Sequence, residues 1–155
     1  MPTVSNLIGV GTGPQNFVCK FDNASAGYGG KVQILFDKRF TMASDTADSA
    51  WTAVKSIADP EGQCIVYVAL VVVGSKSGFY AGKTTKDLKT RYSSAGPTAG
   101  GGLQQVFQLY TDSVKSSPTL DVTIYGTSHP CFIEGWCFQV GAQKGYGLYN
   151  KIDPN

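Results

Sequence analysis

The stretch IVYVALVVVGSKSGFYAGKTTKDLKTR, Ile65 to Arg91, decides the fold. From Cys64 to Val73 the chain is apolar and mostly β-branched, too short for a membrane span and suited to a buried strand. Gly74-Ser75-Lys76-Ser77 reads as a turn, and Gly78 to Gly82 as a second strand carrying Tyr80-Ala81-Gly82. Thr84 or Thr85 is suited to cap a short helix that runs through Tyr92 and presents Arg91.

Downstream, Ser93 to Gly102 is a glycine-rich loop that could border a substrate groove. Leu103, Val106, Phe107, Tyr110 and Val114 recur at helical spacing, and Leu120, Val122 and Ile124 alternate as in a strand. Ser128, with Pro130 in the first turn, opens a further helix with Ile133, Trp136, Cys137 and Val140 on its apolar face. The order from residue 64 is therefore β-β-α-α-β-α. Without a strict βαβ alternation the class is α+β, a small mixed sheet flanked by helices.

Upstream, short apolar runs at Asn16–Phe21 and Val32–Phe36 lie between glycine-rich turns, and Val32, Ile34 and Phe36 alternate with Gln33 and Leu35. The segment GVGTG lacks the G-K-[ST] ending of a phosphate loop and the third glycine of a dinucleotide fingerprint, so it reads as turn chemistry. Ser44 or Asp45 caps a helix to about Ala58, with Ala47, Ala50, Trp51, Val54 and Ile57 as a core stripe. Asp59-Pro60-Glu61-Gly62 stops it. Residues 1–60 are thus expected as an N-terminal extension of strands and one helix packed on a core formed by residues 61–155.

The chain has 155 residues, 42% of them hydrophobic and 12% aromatic, which is a globular composition. Only 15% are charged and the net charge is +2, too little to imply nucleic-acid binding from bulk electrostatics. The basic residues are unevenly placed, however. Lys76, Lys83, Lys86, Lys89 and Arg91 cluster with only Asp87 opposing them, a local patch suited either to a phosphate backbone or to a solvated helix face.

Cys19, Cys64, Cys131 and Cys137 lack zinc-site spacing. Cys131 and Cys137, six apart on the predicted helix, are separated by roughly 9 Å along its axis, beyond disulfide reach. A Cys19–Cys64 pair or buried free thiols remain as alternatives. The N-terminus MPTVSNLIGV has no basic segment or long apolar core, so no signal peptide is visible. This favours an intracellular protein, with a specialised export route as the alternative, and no membrane association.

The triplet Ile65-Val66-Tyr67, the triplet Tyr80-Ala81-Gly82, Arg91 on the next helix, Glu134 on a helix after an intervening strand, and Asn150 in GLYNKID follow one another in order. Together they resemble the GIY-YIG endonuclease domain, over residues 64 to 152. Ile65 stands where that family has glycine, and Ala81 where it has a larger apolar residue. The resemblance implies metal-dependent hydrolysis of phosphodiester bonds in nucleic acid, DNA favoured over RNA. It implies catalytic Tyr67, Tyr80, Arg91 and Glu134, with Glu134 also the ligand of Mg²⁺ or Mn²⁺. Gly82, Lys83, Lys86, Lys89 and Asn150 would contact substrate or support the site.

The chemistry suits these residue types. Mg²⁺ keeps most of its waters and takes few protein ligands, so one carboxylate suffices. Arginine binds phosphate bidentately with a fixed charge. A phenol acting on the attacking water must have its pKa depressed, which Lys83, Arg91 and a metal ion are expected to do for Tyr67. Asn150 would orient the helix bearing Glu134 or the metal-bound waters.

The plainer readings are a cross-strand aromatic pair for Tyr67 and Tyr80, an ordinary ion pair for Arg91 and Glu134, and a capping or surface role for His129. Two other functions compete: an inactive nucleic-acid-binding module of the same fold, and a secreted Gly- and Ser-rich interaction protein marked by two disulfides. Residues 1–60 are the expected place for a homodimer contact or for docking of an inhibitor or partner protein.

Overall fold

A computed structural model describes residues 6–19, 28–58, 63–85, 87–92, 96–97 and 101–149. Lys86, Asn150, the helix stop at 59–62 and most of the glycine-rich loop after Tyr92 lie outside the described residues, as do the side chains of residues 19, 28 and 29. The strands are β1 (Gln15–Cys19), β2 (Tyr28–Thr41), β3 (Cys64–Val73), β4 (Lys76–Thr84) and β5 (Thr119–Thr127). The helices are α1 (Ala47–Lys55), α2 (Leu88–Arg91), α3 (Gly102–Asp112) and α4 (Pro130–Gln143). From β3 onward the order is the β-β-α-α-β-α read from sequence, and the class is α+β.

The five strands form one sheet in the order β1-β2-β5-β3-β4. The sheet expected to be mixed is antiparallel at every strand pairing. The reason is topological: β1–β2 and β3–β4 are hairpins, and β5 enters between them, opposed in direction to both β2 and β3. Since β2 pairs with β5 from Val32 to Thr41, β1 and β2 are strands of the same sheet that carries Tyr67 and Tyr80. A bulge between Ile34 and Phe36 interrupts the expected alternation, so Ile34 packs on one face of the sheet and Phe36 on the other.

The β3–β4 turn is tighter than expected. Only Gly74 and Ser75 lie between the strands, with Gly74 at φ +59°, the left-handed conformation that two-residue hairpins require. β3 is buried on both faces, which its continuous β-branched run permits. One face packs Ile65, Tyr67, Ala69, Val71, Leu120, Val122 and Ile124 under α1, α2 and α3. The other packs Val66, Val68, Leu70, Ala81 and Tyr125 under α4 through Ile133 and Cys137. Among the described residues no helix is long and apolar enough to cross a membrane.

The caps of α1 and α2 fall one to three residues from their expected places, on other residues with the same chemistry. Thr46 caps α1 in a reciprocal box: its Oγ1 accepts from Ser49 N at 3.1 Å, and Ser49 Oγ accepts from Thr46 N at 3.0 Å. Asp87, not Thr84 or Thr85, caps α2 by accepting from Thr90 N at 2.7 Å. His129 precedes α4, with Pro130 in the first turn; the exposed histidine stacks on Phe132. Val114, expected on the face of α3, lies in a 3-10 turn beyond it and is exposed. Cys64, Cys131 and Cys137 are in no disulfide, so Cys64 does not form the bridge weighed for it.

Candidate active site

Strand register builds the centre of the site. Tyr67 lies opposite Gly82 and Ala69 opposite Tyr80, so the two tyrosines are diagonal neighbours on the face covered by α2 and α3. Their rings stack with centroids 6.1 Å apart. The Tyr67 ring lies directly across Gly82: a Cβ added there would meet the ring Cζ at 2.6 Å. Gly82 is therefore a close-approach glycine that gives Tyr67 its position. Gly102, at the start of α3, stands in the same relation to the Tyr80 ring.

The single turn of α2 delivers Arg91. Leu88 is fully buried and anchors the turn, which leaves Lys89 and Arg91 exposed. Tyr92 then turns inward. Its hydroxyl shares a 3.0 Å hydrogen bond with the Tyr67 hydroxyl, and the Arg91 guanidinium lies 4.8 Å from the centroid of its ring. Tyr92 is thus the central residue that sequence reasoning left outside the site. Its one signal was its position directly after Arg91.

Glu134 approaches from the other side of β4. Lys83 follows Gly82 and so points to the opposite face, where its Nζ lies 3.0 Å from Glu134 Oε1. The Glu134 side chain is 7% exposed and that of Lys83 39%. The cation on Glu134 is therefore Lys83 and not Arg91. Burial raises the pKa of Tyr80 most, Tyr92 and the charge of Glu134 add to the rise, and Arg91 partly offsets it.

The expectation that nearby cations depress the Tyr67 pKa is reversed. Burial pushes the Tyr67 phenol far up, with Tyr92 and Tyr80 adding to the rise, and Arg91 only partly offsets it. The layer formed by α2 and α3 removes water from the hydroxyl, and desolvation outweighs an exposed guanidinium. Tyr67 therefore keeps its proton at neutral pH, with its hydroxyl bonded to that of Tyr92. Burial likewise holds the Glu134 carboxyl above its usual range, although Lys83 pulls it down. The Glu134 hydrogen bond holds the Lys83 ammonium up. The two directions are compatible because Lys83 is mostly solvated and Glu134 is not, so the desolvation falls on the carboxylate.

Among the described residues no three His, Cys, Asp or Glu side chains form a ready cage for a metal. A lone, largely buried carboxylate beside polar groups still fits Mg²⁺ or Mn²⁺, which need one or two carboxylates and water. Lys89 stands exposed two residues before Arg91 on α2. Asn150 lies outside the described residues. The chain leading to it is fixed, since Tyr149 N donates to Phe79 O at 2.8 Å, one residue before Tyr80. Comparison of the chain with models of known protein families, with curated proteins and with solved structures finds no match.

Proposed function

We propose that this protein is a metal-dependent endonuclease resembling the GIY-YIG type, hydrolysing phosphodiester bonds of nucleic acid, DNA in preference to RNA. The observation that carries this reading is the stacking of Tyr67 and Tyr80 beside Tyr92 and Arg91 on one face of the edge strand β4, with the largely buried Glu134 held by Lys83 on its other face. A largely buried carboxylate that burial disfavours, paired to a half-exposed lysine, is a candidate functional group.

In this reading Arg91, exposed and permanently charged, binds the scissile phosphate. Tyr80, only partly buried, holds the attacking water through its neutral hydroxyl, while the buried Tyr67, bonded to Tyr92, supports the Tyr80 ring. Hydrolysis adds the water oxygen to phosphorus, breaks one P–O ester bond and returns a proton through solvent to the leaving oxygen. A Mg²⁺ or Mn²⁺ held by Glu134 would supply neutralisation of charge on the phosphoryl and leaving oxygens. Release of Glu134 by Lys83, which is half-exposed, would free the carboxylate for that role.

The contact of Lys83 with Glu134 also favours a second reading, an inactive nucleic-acid-binding module with the carboxylate permanently neutralised. Nicking of supercoiled plasmid separates the two. The nuclease reading expects cleavage in Mg²⁺ or Mn²⁺, none in chelator, and loss of cleavage in Arg91→Ala. Binding of DNA by folded protein without nicking in either metal favours the module.

A further inference from the structure

Helix α1 precedes the segment that resembles the nuclease, yet two of its side chains converge on Tyr92. Trp51 meets the Tyr92 ring edge-to-face, with centroids 5.3 Å apart and planes at 67°. One turn later Lys55 Nζ donates to the Tyr92 carbonyl oxygen at 3.0 Å. The same ammonium lies 5.8 Å from the centroid of the Trp51 ring. Trp51 is itself held from behind by Phe107 of α3, at 5.0 Å and 82°.

These contacts occupy a weak point. α2 is a single turn, too short to be stable on its own, and its C-terminal carbonyls lack helical partners. Lys55 satisfies the carbonyl of its cap residue with a charged donor. Tyr92 in turn bonds the Tyr67 hydroxyl and underlies the Arg91 guanidinium, so its placement sets two groups of the site at once.

We propose that Lys55, backed by Trp51, is a positioning residue of the active site. Through Tyr92 it fixes the Tyr67 hydroxyl and the Arg91 guanidinium, which makes α1 part of the catalytic unit. For catalysis the inference rests on the nuclease reading, while the mechanical link between Lys55 and Tyr92 does not.

The test compares Lys55→Met, Lys55→Gln and Lys55→Arg in the full chain by amide hydrogen exchange and by plasmid cleavage. The amides of Arg91 and Tyr92 bond to Asp87 O and Leu88 O, so their exchange reads the order of α2 directly. Loss of a charge-assisted hydrogen bond is expected to speed their exchange about ten-fold or more in the Met and Gln variants, with β3 amides unchanged and Lys55→Arg close to wild type. Cleavage should follow the same pattern, kcat falling about ten-fold with KM within roughly three-fold. Unchanged exchange at Arg91 and Tyr92, or an equal loss in Lys55→Arg, overturns the proposal. So does faster exchange with undiminished kcat. If wild type binds DNA without cutting it, the nuclease reading fails instead. Exchange then decides the link, and a link with no accompanying change in DNA affinity across the variants refutes a role at the site.

Discussion

Replacing Gly82 by alanine perturbs the site with the least added material. The new Cβ would stand 2.6 Å from Tyr67 Cζ, 2.7 Å from Cε2 and 2.7 Å from the hydroxyl oxygen. Ordinary contact between such atoms is about 3.5 Å, so the ring must move by roughly 0.8 Å. It has little room, since Tyr67 is 2% exposed and lies between Tyr80 and Tyr92. Overpacking of this kind costs about 1–3 kcal/mol, and losing the buried Tyr67–Tyr92 hydrogen bond about 1 kcal/mol more. Relief of the glycine's chain entropy returns about 0.5–1 kcal/mol. Urea unfolding should therefore show a net destabilisation of about 1–3 kcal/mol. Gly13→Ala, where a Cβ meets nothing within 4 Å, should stay within about 0.5 kcal/mol of wild type. Combining Gly82→Ala with Tyr67→Leu should recover about 1 kcal/mol of coupling. A Gly82→Ala protein as stable as wild type, or additive single variants, would refute the packing of Tyr67 on Gly82.

Three further outcomes follow from the electrostatics. Because the folded-state pKa of Glu134 is raised, its charge weighs against folding above the ordinary carboxylate range, and stability from this group falls as pH rises through the folded pKa. Glu134→Gln is therefore expected to melt no lower than wild type at pH 7.5, with the difference shrinking by pH 4; a loss above about 1 kcal/mol at pH 7.5 contradicts this. At the alkaline end, burial raises Tyr67 and Tyr125 well above 10 and Tyr110 to about 12. Unfolded tyrosines ionise near pH 10, so stability falls above that pH by about 1.4 kcal/mol per unit for each phenol that stays protonated. Absorbance at 295 nm should show part of the tyrosine set titrating only as near-ultraviolet dichroism is lost, whereas reversible titration of all eight tyrosines in the intact fold would count against their burial. Lastly, Lys83→Gln removes the cation that competes for Glu134, and Mn²⁺ binding measured by electron paramagnetic resonance without nucleic acid should tighten several-fold, on the order of 1 kcal/mol. Weaker or unchanged binding would mean that Glu134 is not the metal ligand.

What the sequence revealed, and what it hid, divides by the range of the interactions. The β3–β4 hairpin and the helical stripes were legible because period and turn chemistry are local. Cap positions were less so, since Ser44, Asp45 and Thr46 are all competent and only the direction of the chain entering α1 selects Thr46. The long β2 and the insertion of β5 between β2 and β3 depend on pairings across most of the chain, and no local pattern encodes them. The candidate site residues Tyr67, Tyr80, Arg91 and Glu134 could be named from type and order alone. The sign of the Tyr67 shift could not, because cations can be counted in a sequence while the desolvation that outweighs them comes from α2 and α3. The same packing hid Tyr92, Trp51 and Lys55, whose roles exist only once α1 lies against α2.

The most direct test of the central claim compares wild type and Glu134→Gln on one labelled DNA duplex, measuring affinity and cleavage in the same Mn²⁺ buffer. Wild type is expected to cut, and Glu134→Gln to bind within about three-fold of wild-type affinity while cutting at least a hundred-fold more slowly. Cleavage by Glu134→Gln at the wild-type rate would place the chemistry elsewhere in the chain, and absence of cleavage by folded wild type that binds the duplex would remove the enzyme reading altogether.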